Sequence, residues 1–139
     1  MTDTPLPPSE AVFPLLPCST IVLRALLRAG HFDKHNNRVT AAAFVRRSKE
    51  KGLDSKGLSV DLAEKWTLDE YRGSFNKCYG IATLHVGYIR DEYMDVIQDA
   101  PRHGNITGVP YSEDDEVKAE RRAGILANMA RPAWSPPAA

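Results

Sequence analysis

Apolar and polar positions along this chain follow two different periods, and the changes between them mark the elements. Gly57-Leu58-Ser59-Val60-Asp61-Leu62 alternates apolar and polar side chains strictly, the pattern of a half-buried strand. Ile81-Ala82-Thr83-Leu84-His85-Val86 is nearly continuous in its apolar character and reads as a central strand. Thr20 to Leu27 is apolar and β-branched at its start, so it reads as a strand, although its length and its Leu/Ala end also permit a helix. Asp95 to Gln98 and His103 to Gly108 read as short strands. The helical period appears in three places. Thr67 with Glu70 three residues on has the capping-box spacing and predicts a helix from about Leu68 to Lys77, with Tyr71 and Phe75 sharing its buried side. Tyr88 to Tyr93 reads as one or two helical turns. Ser112 is placed to cap a last helix, with Glu113 to Glu116 in the first turn and Arg121 and Arg122 later, the polarity the helix dipole favours. Along that helix Ala119, Ala123, Leu126 and Ala130 fall on one face, a narrow stripe suited to close packing.

Proline and turn residues set the boundaries. Five of the ten prolines lie within residues 1–17, and proline's missing N–H and fixed φ predict an extended arm there. Residues 131–139 have the same character and read as a tail with Trp134 as its anchor. The stretch between, 18–130, has connections too short for a series of βαβ crossovers. It is expected to be a single α+β domain with one small mixed or antiparallel sheet, a mid-chain helix and a C-terminal helix.

Composition narrows the function more by exclusion than by signature. The 139 residues suit one core, and 18 basic against 18 acidic side chains leave no excess of the kind that phosphate neutralisation demands. Nucleic acid therefore has only the basic loop from Arg46 to Lys56 to meet, and Glu50 and Asp54 dilute it. No apolar stretch reaches the length of a membrane span and the first residues lack a signal-like basic start, so a cytoplasmic setting without membrane contact is expected. Cys18 and Cys78, without C-x-x-C spacing, are read as reduced thiols. Neither glycine-rich phosphate cradle is present, and no cofactor is expected. His31 and His35 around Asp33 have a metal-ligand separation, but Gly30 and Asn36-Asn37 place them in a loop, so no metal is expected. No serine-elbow motif or triad order along the chain points to hydrolase chemistry.

Two histidines remain as candidates. His85, on the central strand, is expected to be buried and hydrogen-bonded within the fold, its other reading being a general base beside a pocket. His103, Asn105 and Thr107 project to one side of a late strand, spaced by Gly104, Ile106 and Gly108, so three hydrogen-bonding groups share one face where another backbone or a ligand can come close. A solvated strand face is the competing reading.

Arg38-Val39-Thr40-Ala41-Ala42-Ala43-Phe44, then Gly57-Leu58-Ser59-Val60-Asp61 and His103-Gly104-Asn105-Ile106-Thr107-Gly108, resemble a widespread set of small prokaryotic proteins across about residues 20–108. That resemblance carries no activity with it. Arg24 on a first strand and Ser59 on a glycine-led later strand are also similar to the NAD-binding half of ADP-ribosyltransferase-like and RES-type toxins, which implies an arginine on phosphate or ribose and a polar group orienting the ribose. The family's late-strand glutamate has no counterpart, since Glu92 falls in a predicted helix. Two functions are carried forward. One is a non-catalytic interaction module that docks on a protein partner or a second copy through Phe13, Leu15 and Leu16 of the arm. The other is a NAD- or RNA-directed enzyme, of a toxin or defence type, with Arg24, Ser59, His85 and His103 around one cleft.

Overall fold

The computed structural model describes residues 13–46 and 55–136; residues 1–12 of the arm, 47–54 of the basic loop and 137–139 of the tail lie outside it. Six antiparallel strands form the main sheet: β1 (Ile21–Leu26), β4 (Leu58–Leu62), β5 (Gly80–His85), β6 (Asp95–Ala100), β7 (His103–Thr107) and β8 (Arg131–Trp134), in the order β6-β7-β4-β1-β5-β8. β2 (Phe32–Asp33) and β3 (Arg38–Val39) pair as a separate small hairpin, and a 3₁₀ turn, Ala41–Phe44, follows it. The α+β class is as the sequence predicts.

The pleat separates two faces. Val22 and Leu26 of β1, the apolar positions of β4, and Ala82 and Leu84 of β5 point to one side. They are covered there by α2 (Val86–Asp91), α3 (Glu116–Met129) and the 3₁₀ turn, whose Phe44 is the largest fully buried side chain. The stripe on α3 is buried as its spacing predicts, with Ala119, Ala123, Leu126 and Ala130 all in the interior. The other face is covered only in part. Leu23 of β1 and Ile81 of β5 pack beneath Tyr71 of α1 (Leu68–Gly73), with Trp66, Phe75 and Trp134 around them. Tyr71 meets Trp66 and Phe75 edge to face, ring centroids 5.2 Å apart in each pair. This cover leaves Ser59 of β4 exposed.

Several local expectations change. α1 stops at Gly73, so the helix is shorter than the Leu68–Lys77 prediction, although Thr67 Oγ1 does cap it by accepting from the Glu70 N–H at 3.1 Å. The last helix starts at Glu116 and is capped by Asp115, which accepts from the Lys118 N–H; Ser112 sits in the turn before it. Of residues 38–44, Arg38 and Val39 form β3 and Ala41–Phe44 the 3₁₀ turn. The Asn-Asn turn forms, with Asn37 at φ 51°, and leads back along β2. Residues 131–134 are the edge strand β8 rather than a free tail, and Pro132 is tolerated because an edge strand leaves one side of its backbone unpaired. His85 is exposed rather than buried: it leaves the end of β5 on the same face as Ile81, paired with the exposed Ile21, and lies against Tyr88.

Candidate active site

Where the second face is uncovered, three adjacent strands bring a serine, a histidine and an aspartate into hydrogen-bond contact. Ser59 on β4 pairs with Asn105 on β7, and Asp61 with His103, so all four side chains leave the sheet on the same side. From that placement Ser59 Oγ lies 2.5 Å from His103 Nε2, and His103 Nδ1 lies 2.6 Å from Asp99 Oδ1. Asp99 is the extra residue of a bulge in β6, between the pairs Gln98↔Gly104 and Ala100↔His103. The other carboxylate oxygen accepts from Asn105 Nδ2 at 2.9 Å. Asn105 is buried at 7% exposure and holds the carboxylate through that bond.

The chemistry of the three groups fixes the protons. An ionised carboxylate can only accept, so Nδ1 carries the imidazole hydrogen and donates it to Asp99; in the neutral ring Nε2 is then the acceptor for the Ser59 hydroxyl. Burial works against the charge on Asp99, but hydrogen bonds from His103 and Asn105, helped by the charges of His103 and Lys56, outweigh it and hold the carboxyl below its usual range. Lys56 Nζ stands 3.9 Å from Asp99 Oδ2, on the exposed rim. The loop that joins β6 to β7 is pinned: Arg102 stacks on Trp66, pairs with Glu70 at 3.0 Å, and its carbonyl accepts from the Leu62 N–H.

Beside Ser59 the sheet opens. β1 and β4 remain paired only through Val22↔Leu62 and Leu23↔Asp61, then part, and the gap is a cleft of about 200 Å³. Ala25, Leu27, Tyr71 and Phe75 form its apolar side, and Ser59, Asp61, Arg24 and His31 complete it. Asp61 accepts from the Tyr71 hydroxyl at 2.8 Å; burial raises its carboxyl above the ordinary value, against that bond, and burial with the nearby Asp61 charge pushes the Tyr71 phenol up. A second dip on the far side of Ser59 is lined by Ser55, Lys56, Gly57 and Asn105.

The four residues read as one enzyme cleft therefore divide. Ser59 and His103 meet. Arg24 lines the same cleft as Ser59 but pairs with Ala82 and so leaves β1 on the face opposite His103; its guanidinium lies 5.6 Å from the Phe44 ring and donates from Nε to the Ala43 carbonyl and from Nη1 to the Ser59 carbonyl, at 2.7 and 2.6 Å. It braces the parted strands. His85, on β5, is three strands away from β7. Asn105 is buried, donates to Asp99 and lines the dip beside Ser59, and Thr107 is half-buried further along β7. In the arm Leu16 is buried in the core, Phe13 is half-buried and Leu15 stands 79% exposed.

Asp99 is the member the sequence reading missed, because the strand was ended at Gln98. Pro101-Arg102 as a two-residue hairpin loop was the available signal, since it sets residues before the turn against His103 after it. Among the described residues no group of three or more His, Cys, Asp or Glu is placed to hold a metal ion, and no helix is long and apolar enough to cross a membrane. No family model, curated protein or solved structure matches the chain, so the Ser59–His103–Asp99 relay stands on its own geometry.

Proposed function

We propose that the chain is a small enzyme that cleaves or transfers acyl groups through Ser59. The observation that carries this is the continuous hydrogen-bonded line from Ser59 Oγ through His103 to Asp99, opening on a cleft. In that arrangement His103 Nε2 takes the hydroxyl proton as Ser59 Oγ forms a bond to the substrate carbonyl carbon. The tetrahedral adduct collapses, the bond to the leaving alcohol breaks, and His103 returns the proton to it. Water, or an acceptor alcohol, then attacks the acyl-serine by the same route and releases the acid or a new ester. Asp99 keeps Nδ1 protonated and stabilises the imidazolium that forms between the two transfers.

A fluorophosphonate probe tests the assignment, because it phosphonylates activated serines and ordinary hydroxyls only slowly. The expected result is one adduct by intact mass, mapped to Ser59 and abolished in Ser59→Ala and His103→Ala. Absence of an adduct on the folded parent protein would overturn the proposal. The NAD- or RNA-directed alternative shares Ser59 and His103, so NAD and RNA belong in the same substrate panel; consumption of either, lost in Ser59→Ala, with no ester turnover, would replace the acyl reading.

One observation favours a second reading, docking on a protein partner or a second copy through the arm: Leu15 is 79% exposed beside the buried Leu16. Leu15→Asp leaves the core residue in place. If light scattering finds the same mass for the variant and the parent, and a captured partner is retained, the arm does not dock.

A further inference from the structure

Resting on the acyl-transfer reading, the cleft beside Ser59 also selects what the enzyme acts on. We infer that its substrates are esters of short, uncharged acyl groups, from acetyl up to an aromatic acid of benzoyl size, with the acyl group held against Tyr71 and Phe75.

Size is the first argument. A cavity of about 150 Å³ holds a benzene ring. The cleft measures about 200 Å³, enough for such a ring with its carbonyl and too little for a long chain. Its position is the second. Ser59 lines the cleft together with Tyr71 and Phe75, whose rings meet at 82° to each other. An acyl group seated against these rings brings its carbonyl to the hydroxyl. The alcohol portion then extends to the other side of Ser59, over the dip lined by Lys56 and Gly57.

Charge supplies the third argument. Both signs are already present in the cleft and both are engaged: the Asp61 carboxyl with Tyr71, the Arg24 guanidinium with two main-chain carbonyls. A charged acyl tail of either sign would have to leave water to enter, and the groups that could pair with it, Arg24 and Asp61, are already held by other partners. A neutral group meets neither penalty.

p-Nitrophenyl esters of acetate, butyrate, benzoate, hemisuccinate and decanoate, given to the full chain, test the inference. Hydrolysis of butyrate and benzoate should exceed that of hemisuccinate and decanoate by roughly tenfold or more in kcat/KM, the range pocket fit ordinarily supplies. Phe75→Ala, at a half-buried position, should raise the ratio of decanoate to butyrate turnover, a ratio read within one variant and so independent of its overall rate. Ser59-dependent turnover with no chain-length or charge preference, or a preference that Phe75→Ala leaves in place, would overturn the substrate class alone. No turnover of any ester and no adduct at Ser59 would overturn the acyl reading with it.

Discussion

Asp99→Asn puts the relay to its sharpest test, because the structure dictates how the new amide must lie. Asn105 Nδ2 donates to one Asp99 oxygen from a buried position, so the introduced side chain has to turn its own oxygen toward Asn105. Its NH₂ group then faces His103 Nδ1. That nitrogen becomes the acceptor, the ring hydrogen moves to Nε2, and Nε2 donates to Ser59 Oγ instead of accepting from it. Trapping that tautomer in a serine triad costs about 10⁴-fold in rate, roughly 5 kcal/mol of barrier. Stability should change far less. Hydrogen bonds to charged groups contribute about 1.5–3 kcal/mol, and with 30% and 24% of the two side chains exposed the loss should be nearer 1–2 kcal/mol. For a chain of this length that is a fall in Tm of about 3–7 °C.

Two measurements separate these effects. Fluorophosphonate labelling of Ser59 at neutral pH gives the rate, and the ¹⁵N shifts of the His103 ring report the tautomer whether or not a substrate is known. Because Asp99 is held below the ordinary carboxylate range, its contribution is present above the unfolded value of about 4 and is lost as pH falls through the folded one. The Tm gap between parent and variant should therefore close in acid. A folded variant that labels within roughly threefold of the parent, its His103 tautomer unchanged, would refute the relay.

Asp61 titrates in the opposite sense: burial raises its carboxyl, so its ionisation costs stability as pH climbs above about 4. Asp61→Asn, which keeps an oxygen for the Tyr71 hydroxyl, should raise Tm relative to the parent at pH 7 and not at pH 3; an equal difference at both pH values would contradict this. Ala123→Phe should cost about 1–3 kcal/mol by overpacking α3, and a thermal melt matching the parent's would show that this face yields freely. At Gly57, φ is +133° and an added Cβ would fall 2.3 Å from the Ile106 carbonyl oxygen; Gly57→Ala should cost about 2 kcal/mol or more by urea unfolding, and a neutral substitution would mean that β4 shifts to make room.

Local pattern determined most of the elements. The alternation from Leu58 to Leu62 could be satisfied only by a strand with one apolar face, and the Ala119–Ala130 stripe only by a helix packed closely on something. These are signals carried within a few residues, where backbone geometry alone decides which side chains share a side. The helix start at Thr67 was equally local, since the cap and its N–H partner are three residues apart. By contrast, α1 ends early and α3 begins late because turns and tertiary packing, not propensity, decide where a short helix stops.

The site belongs to the other category. Ser59, Asp99 and His103 come from three strands, and what joins them is the order β6-β7-β4 together with a bulge that a periodic pattern cannot display. The alternation on β7 already placed His103 and Asn105 on one side, but it could not say that Asn105 would hold a carboxylate while His103 reached a serine on the neighbouring strand. His85 shows the converse: an apolar run implied burial, yet exposure depends on how far the cover extends over the sheet, a distance no segment of sequence records. Arg24 had the residue type for an anion site. Its role as a brace followed only when β1 and β4 parted and left the Ser59 carbonyl for it to satisfy, together with that of Ala43 in the 3₁₀ turn. Sequence fixes what each strand can present; pairing, register and cover, which arise from contacts between distant segments, decide which of those groups meet.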